Sequence, residues 1–255
     1  MSYPYDNDFE NTVIKTNGGV SKMKKKRTLS LMLVLCMALT MLFPVNAFAS
    51  IGHTTKTIDK SKTVSGDKAS IKVLHYFTYV VLEEDDAAVK KINKKLKSQS
   101  KYLADDSAAT DYAVNDVKYI EEDAEYEDYT EQSIGYISEN YVSVVQASGW
   151  YAGGVSNYSI SGLTFDLSTG KQIKKLTDVT KEKSLKKIKK GLKDQALEED
   201  PYLSKADANA AINGKKAKDF SFFINQDGDV VVCFGPYEMG YGGWTRMYTI
   251  EGDVN

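Results

Sequence analysis

Residues that could carry redox or metal chemistry are scarce in this chain. Its 255 residues include two cysteines and two histidines, Cys36, Cys233, His53 and His75. Two histidines without an HExxH pattern or a Cys/His cluster do not make a recognisable zinc site. A G-x-S-x-G nucleophile elbow is also missing, so we expect His75 to be a structural histidine. The scarcity predicts a protein that is not an enzyme and that uses neither a metal nor a cofactor.

Long apolar runs are also rare, and the one that stands out lies near the start, from Leu29 to Phe43. It follows a four-residue basic block and precedes Pro44 and the segment Ala47-Phe48-Ala49. A basic block, a short apolar core and small residues at −3 and −1 are typical of a secretory signal peptide. The run is too short to span a bilayer comfortably. We therefore expect residues 23–49 to be removed before Ser50, and the protein to be secreted or cell-wall associated.

Residues 1–22 precede the basic block and show no periodicity. Gly18-Gly19 could be encoded by a purine-rich stretch at the spacing of a bacterial ribosome-binding site ahead of Met23. We therefore expect translation to start at Met23, with residues 1–22 an untranslated or disordered leader. The alternative is a cytoplasmic tail before an uncleaved signal, which would make the protein a membrane-anchored sensor.

The chain after residue 49 is mildly acidic. Residues 1–49 carry six of the 33 Lys and Arg and three of the 35 Asp and Glu, which leaves a net charge of −5 on the other 206 residues. This charge argues against nucleic acid and anionic lipid as partners and favours cationic ones. Cys36 leaves with the signal peptide, and Cys233, alone on an apolar strand, is expected to be a buried and unreactive thiol.

Hydrophobic patterning after residue 69 predicts an α+β fold, a mainly antiparallel sheet with two amphipathic helices packed against it. We predict strands at 71–82, 112–119, 133–137, 141–147, 158–167, 220–224, 230–234 and 244–250, and helices at 85–103, 185–196 and 204–212. The apolar stripes of the two long helices are Val89, Ile92 and Leu96, and Leu185, Ile188, Leu192 and Ala196. Residues 50–69 are polar and are interpreted as a flexible lead-in, followed by subdomains at 70–160 and 161–255.

Acidic side chains are concentrated at residues 121–128, with Glu121, Glu122, Asp123 and Glu125 among them. Blocks of like charge are usually solvated loops. The same block could also dock a basic protein or calcium. Paired carboxylates for glycoside hydrolysis could lie among these acids, so a hydrolase of envelope polymers is the alternative from another class.

Aromatic residues stand beside glycines in two segments. Tyr151 is followed by Gly153 and Gly154, and a glycine-rich bend separates Tyr237 from Trp244. Such segments either present flat rings to a sugar or a protein surface, or bend tightly so that the rings fill the core. Both interpretations remain open at this point.

Three motifs resemble those of a known family. They are Tyr-Ala-Gly-Gly at 151–154, Phe-Asp-Leu-Ser-Thr-Gly-Lys at 165–171 and Phe-Gly-Pro-Tyr-Glu at 234–238. Together with the order of elements, they resemble the extracellular domain pair of RsiV-type lysozyme-sensing anti-sigma factors and the non-catalytic part of secreted peptidoglycan deacetylases, over about residues 70–250. The family often has Ala-His after the glycine pair, where this chain has Val155-Ser156.

The resemblance implies a fold, an envelope setting and ligand recognition. The expected partner is a cationic envelope-active protein such as lysozyme, or a cell-wall polymer such as peptidoglycan. The candidate ligand-binding residues are Glu121, Glu122, Asp123, Glu125, Tyr151, Gly153, Gly154, Tyr237 and Trp244.

Overall fold

Nine strands and five helices occur in residues 51–99, 107–240 and 242–254, the part of the chain that the computed structural model describes. The predicted leader and signal peptide lie outside these residues. The elements are β1 (His53–Ser65), β2 (Ser70–Leu82), α1 (Ala87–Ser98), α2 (Ala108–Asp116), β3 (Ala124–Ile137), β4 (Tyr141–Ala152), β5 (Val155–Asp166), β6 (Gln172–Ile173), α3 (Leu176–Val179), α4 (Leu185–Glu199), α5 (Lys205–Asn213), β7 (Ser221–Ile224), β8 (Val230–Phe234) and β9 (Arg246–Ile250). The predicted α+β class is confirmed.

The strands form two sheets. The first contains β1 to β6 in sequence order, and the second contains β7 to β9. All neighbouring strands are antiparallel except β2 and β3, which are parallel. Parallel neighbours need a crossover connection, and α1 and α2 lie within that crossover. No helix among the described residues is long and apolar enough to cross a membrane.

Helix α1 has the core face that the sequence predicts. Val89, Ile92 and Leu96 are fully buried and pack against residues of β2, β4 and β5. The helix begins after Asp86, whose carboxylate accepts hydrogen bonds from the N–H groups of Ala88 and Val89, the usual role of an N-cap. The predicted helix began at 85 and extended to 103, and residues 100–103 lie outside the described part of the chain.

Helix α2 corrects the strand predicted at 112–119. The Ser107 hydroxyl accepts a hydrogen bond from the N–H of Thr110 at 3.1 Å and caps the helix. Ala109 and Ala113 are buried against Ile71 and Val73 of β2. Tyrosine and valine favour strands in general, but Tyr112, Val114 and Tyr119 are exposed, so an alanine-lined helix with a serine cap forms instead.

Strand β1 corrects the flexible lead-in predicted at 50–69. It pairs with β2 along its whole length, from His53 opposite Leu82 to Ser65 opposite Ser70. Most of its side chains are exposed, with Ile58 and Val64 partly buried. Its threonines favour extended backbone, and lysines are common on exposed edge strands. A polar edge strand and a flexible segment therefore have similar amino-acid compositions, and composition alone does not distinguish them.

The second sheet packs on the first across β5 and β4. Gly162 of β5 allows the approach, because a Cβ at this position would come within 1.9 Å of the Phe222 carbonyl oxygen. The N–H of Ile224 donates to the Ser143 hydroxyl at 2.8 Å and joins the two sheets. On its other side the second sheet packs against α4 and α5, including Ile188, Leu192 and Ala196 of the predicted stripe. The subdomain boundary predicted at 160/161 falls inside β5.

Candidate functional site

Three tyrosines lie in one row across the first sheet. The strand register places Tyr76 beside Tyr129, Tyr129 beside Gly149, and Gly149 beside Tyr158. The Tyr76 and Tyr129 rings are stacked, with centroids 5.5 Å apart and planes inclined by 10°. Position 149 has space for the Tyr129 ring only because it is a glycine: a Cβ there would come within 2.6 Å of the ring. All three tyrosines are partly exposed.

The row lies on the sheet face opposite to α1 and α2. Residues that alternate with the tyrosines, such as Val73 and Tyr126, are buried against α2. Successive side chains of a strand point to opposite faces. The tyrosines therefore point away from the helices, on the same face of the first sheet that the second sheet covers at Ser143 and Gly162.

Three carboxylates flank the tyrosine row. Glu125, Glu127 and Glu131 alternate with Tyr129 along β3 and so share its face. Burial raises the pKa of Glu127, and repulsion from Glu125 adds to the rise. Burial also raises the pKa of Glu131. A partly desolvated carboxylate interacts more strongly with a cation than a fully hydrated one. We call this surface the tyrosine–carboxylate face, defined by Tyr76, Tyr129, Tyr151, Tyr158, Glu125, Glu127 and Glu131.

The structure divides the acidic run that the sequence treats as one block. Glu121, Glu122 and Asp123 lie in the bend before β3. The Asp123 carboxylate accepts hydrogen bonds from the N–H and the hydroxyl of Ser70, and these bonds lower its pKa. Glu121 forms an ion pair with Lys68 at 2.8 Å. Glu125 belongs to the tyrosine–carboxylate face, so the structure brings one of the four predicted acids to the tyrosines.

Tyr151 and the glycine pair lie at one end of this face. Tyr151 stands opposite Glu127 in the β3–β4 register, and 45% of its surface is exposed. Gly153 and Gly154 form the turn from β4 to β5 with positive φ angles of 56° and 100°. Such angles favour glycine, and a Cβ at Gly153 would also come within 2.8 Å of the Tyr126 hydroxyl. The glycines therefore shape the hairpin that presents Tyr151.

Tyr237 and Trp244 lie in the loop between β8 and β9, and neither belongs to the tyrosine–carboxylate face. Tyr237 lines a groove formed with residues of β3, β4 and β5. Trp244 is 55% exposed, and its ring lies 5.5 Å from the guanidinium of Arg246. The β8–β9 loop belongs to the second sheet, whereas Tyr151 and Glu125 belong to strands of the first sheet. The sequence grouped these residues by type, and the fold separates them.

His75 is a residue of β2, and its side chain lies against α2. Its side chain is buried, and its Nε2 lies 3.5 Å from the Thr110 hydroxyl. Its Nδ1 has no hydrogen-bond partner among the described residues. Burial lowers the pKa of His75, while the negative charge of Asp128 acts in the opposite direction. In residues 51–99, 107–240 and 242–254, no three His, Cys, Asp or Glu side chains are grouped so that they could hold a metal.

The sequence motifs do not single out Tyr76, Tyr129, Tyr158 or Glu131. Each strand offers a weak signal, a partly polar alternation in which tyrosine or glutamate occupies one face. The row itself depends on the register of four strands, and one of the pairings joins β2 to β3 across the helical crossover. Strand alternation applied to 124–131 would have separated Glu125, Glu127, Tyr129 and Glu131 from their neighbours.

Comparisons with known proteins identify a fold. No protein-family model matches this sequence, and no curated protein is significantly similar to it. The chain is similar in structure to a crystal structure of a DUF3298 family member from Bacteroides fragilis NCTC 9343, with 13% identity and a TM-score of 0.55 over 79% of this chain and 91% of that one. A DUF3298 family protein from Pseudomonas aeruginosa PAO1 gives 12% identity and a TM-score of 0.44, over 78% and 91% of the two chains. At these identities the likeness to the Bacteroides protein concerns the fold alone: the chain has the architecture of a DUF3298 family structure.

Proposed function

We propose that this protein is a non-catalytic binding module of the bacterial envelope, and that its tyrosine–carboxylate face docks a cationic protein such as a lysozyme. The observation that carries the proposal is the row of Tyr76, Tyr129 and Tyr158, flanked by carboxylates and partly exposed on a sheet face. The sequence resemblance to lysozyme-sensing domains and the predicted signal peptide support the choice of partner and of location.

The composition of the face suits a protein partner with positive charge. Tyrosine is enriched at protein interfaces because a rigid ring covers much area at little entropic cost, and its hydroxyl can still form hydrogen bonds. Carboxylates at the rim attract a basic partner and raise its association rate. Lys72 forms an ion pair with Glu125 at 4.0 Å at the edge of the face.

The carboxylates and the tyrosines have separable roles in this proposal. Glu127 and Glu131 steer the encounter, so their removal slows association and reduces its dependence on salt. Tyr151 is the most exposed of the four tyrosines, and it lies at the end of the face next to the β4–β5 turn. Its truncation removes buried contact area from the complex and therefore speeds dissociation.

The test is surface binding of the purified protein to a panel of lysozymes at low and at physiological salt. We expect Glu127→Gln with Glu131→Gln to reduce the association rate about tenfold at low salt. Tyr151→Ala is expected to weaken affinity about tenfold through a faster dissociation rate. The matched control is Glu198→Gln with Glu199→Gln, which changes the net charge equally on α4, far along the chain from this face.

Acidification provides a second measurement of the same proposal. A cationic partner binds the ionised carboxylates, and the pKa values of Glu127 and Glu131 are raised. Affinity should therefore begin to fall at a higher pH than ordinary glutamates would give, and the double glutamine variant should lose that part of the pH dependence. No binding to any lysozyme at low salt, or equal binding by the face variants and the α4 control, would refute the proposal.

A further inference from the structure

A concave surface lies on the helix side of the first sheet. It is a groove of about 360 Å³ between the sheet and the β8–β9 loop, within the range of about 300–1,000 Å³ that is usual for small-molecule sites. Its floor comes from two neighbouring rungs of the sheet, since Asp128 pairs with Trp150, Trp150 with Asn157, and Ser148 with Ser159. Pro236 and Tyr237 form the other side. We call this surface the polar groove.

The tyrosine–carboxylate face and the polar groove use different side chains of the same strands. On β3 the face contains Glu127 and Tyr129, whereas the groove contains Asp128 between them. On β4 the face contains Tyr151, and the groove contains Trp150. Successive residues of a strand point to opposite sides of the sheet. The two surfaces therefore present side chains on opposite faces of the sheet, and the backbone of Gly149 is common to both.

Tyr237 is held in the groove by an unusual backbone conformation. Its φ angle is +61°, the one positive φ of a non-glycine residue among the described residues. Such an angle is costly for a residue with a Cβ and often marks a functional position. The loop fixes it, because the N–H of Tyr237 donates to the Gly242 carbonyl at 2.9 Å and the N–H of Gly240 donates to the Tyr237 carbonyl at 3.0 Å. Even so, the side chain is 64% exposed.

The polar atoms of the groove include several that the protein itself does not use. Among the described residues, the indole N–H of Trp150, the amide of Asn157 and the hydroxyl of Tyr237 make no hydrogen bond to the rest of the chain. Partial burial raises the pKa of the Asp128 carboxylate, and the hydrogen bond that it accepts from Ser107 acts in the opposite direction. Trp150 is fixed by stacking on Tyr112 of α2, with ring centroids 5.0 Å apart. Donors and acceptors are therefore held in place around an open volume.

From this arrangement we propose that the polar groove binds a neutral pyranose sugar of a glycan. Aromatic rings such as Trp150 and Tyr237 can pack on the apolar face of a sugar ring. The amide of Asn157, the serine hydroxyls and the carboxylate of Asp128 offer both donors and acceptors for its hydroxyl groups. None of the described residues that line the groove is a lysine or an arginine, so the lining does not favour an anionic phosphate.

A quaternary ammonium ligand is the competing occupant, because aromatic rings and a carboxylate also attract cations. Such a ligand has no hydrogen-bonding hydrogen on its nitrogen, and it would leave Asn157 and the serines unused. The hydrogen-bonding groups of the groove therefore favour the sugar. Choline distinguishes the two experimentally.

The experiment is calorimetric titration of the purified full chain with chitotetraose, with maltotetraose and with choline, supported by tryptophan fluorescence. We expect a tetrasaccharide to bind, and Asn157→Ala and Tyr237→Ala each to weaken it about tenfold. Tyr202→Ala is the matched control, since Tyr202 is 85% exposed and lies outside the groove. Thermal unfolding of each variant establishes that it is folded. A parallel pull-down with insoluble peptidoglycan distinguishes a cell-wall polymer from a short free glycan as the source of the sugar.

Binding of either tetrasaccharide with loss in both groove variants supports the proposal. Three outcomes would overturn it: no binding of either tetrasaccharide, binding that Asn157→Ala and Tyr237→Ala leave unchanged, or binding of choline alone. Glu127→Gln with Glu131→Gln should leave sugar binding intact, because those side chains lie on the other face. Failure of this proposal is therefore distinguishable from failure of the proposed docking of a cationic protein.

Discussion

The Tyr129 ring lies against Gly149, its partner across the β3–β4 register, so closely that a Cβ at position 149 would come within 2.6 Å of the ring. This contact fixes where the ring can lie. It also keeps Tyr129 next to Tyr76, on which it stacks. The arrangement of the tyrosine–carboxylate face therefore depends on a residue that has no side chain.

We expect Gly149→Ala to reduce affinity for a lysozyme several-fold and to lower the free energy of unfolding by about 1 kcal/mol, because the Tyr129 ring must move. Gly191→Ala is the control, since Gly191 lies in α4 with nothing within 4 Å of an added Cβ. That substitution should raise the free energy of unfolding by about 0.5–1 kcal/mol and leave binding unchanged. Equal stability and equal binding of the two variants would contradict the role given to Gly149.

Gly162→Ala should be the more damaging glycine substitution, with a loss of about 3 kcal/mol in the free energy of unfolding. An added Cβ would lie 1.9 Å from the Phe222 carbonyl oxygen, and backbone cannot rotate away as a side chain can. Urea denaturation measures the loss. Gly214→Ala, which has open space around the added atom, should change stability by less than about 1 kcal/mol. A loss of less than about 1 kcal/mol for Gly162→Ala would mean that the two sheets can move apart at little cost in free energy.

Stability should decline as the pH falls through the ordinary pKa of histidine, 6.5, because burial lowers the pKa of His75 in the folded state. The unfolded chain then binds a proton that the folded chain does not, so acid favours unfolding between pH 6.5 and the lowered value. Asp128 opposes this at lower pH, because its pKa is raised on folding. Urea denaturation of the protein and of His75→Gln at pH 7.5, 6.5 and 5.5 provides the check. A variant with the same pH dependence as the parent would show that His75 does not cause it.

Cys233 should react slowly with a thiol reagent in the folded protein and rapidly in denaturant. Its side chain is 3% exposed in β8, and burial raises the pKa of the thiol to about 12. The thiolate is the reactive form, so both access and ionisation limit the rate. Ellman's reagent under native conditions and in 6 M guanidinium, about the concentration that unfolds most domains, measures the ratio. Rapid native labelling, or a disulfide-linked dimer, would refute the predicted burial.

Local patterns in the sequence predict most of the elements, and long-range pairing explains what they miss. The stripe of Ile188, Leu192 and Ala196 predicts α4, and the turn at Asp227-Gly228 predicts the β7–β8 hairpin. Both depend on residues near one another in the chain. By contrast, β1 is polar and becomes a strand by pairing with β2. Helix α2 depends on packing against Ile71 and Val73, which lie about 40 positions away.

The candidate sites follow the same division. The sequence predicts Tyr151 and Tyr237 as candidate ligand-binding residues because each lies near glycines in the chain. Trp150 is consecutive with the predicted Tyr151, and Asp128 is the last residue of the predicted acidic run, yet both belong to the polar groove on the opposite face. A run of acids or aromatics indicates what chemistry is available. Strand alternation and register decide which of those side chains can act together.

The parallel pairing of β2 with β3 has a consequence for how the first sheet assembles. The contact between Ser70 and Asp123 closes a loop of 53 positions, which costs about 2 kcal/mol more in chain entropy than closing a four-residue hairpin. The β1–β2 hairpin and the β3–β5 meander are local and can each form without it. We therefore expect the seam between β2 and β3 to be the last part of the sheet to form and the first to open, with amides that exchange with solvent sooner than those inside the meander.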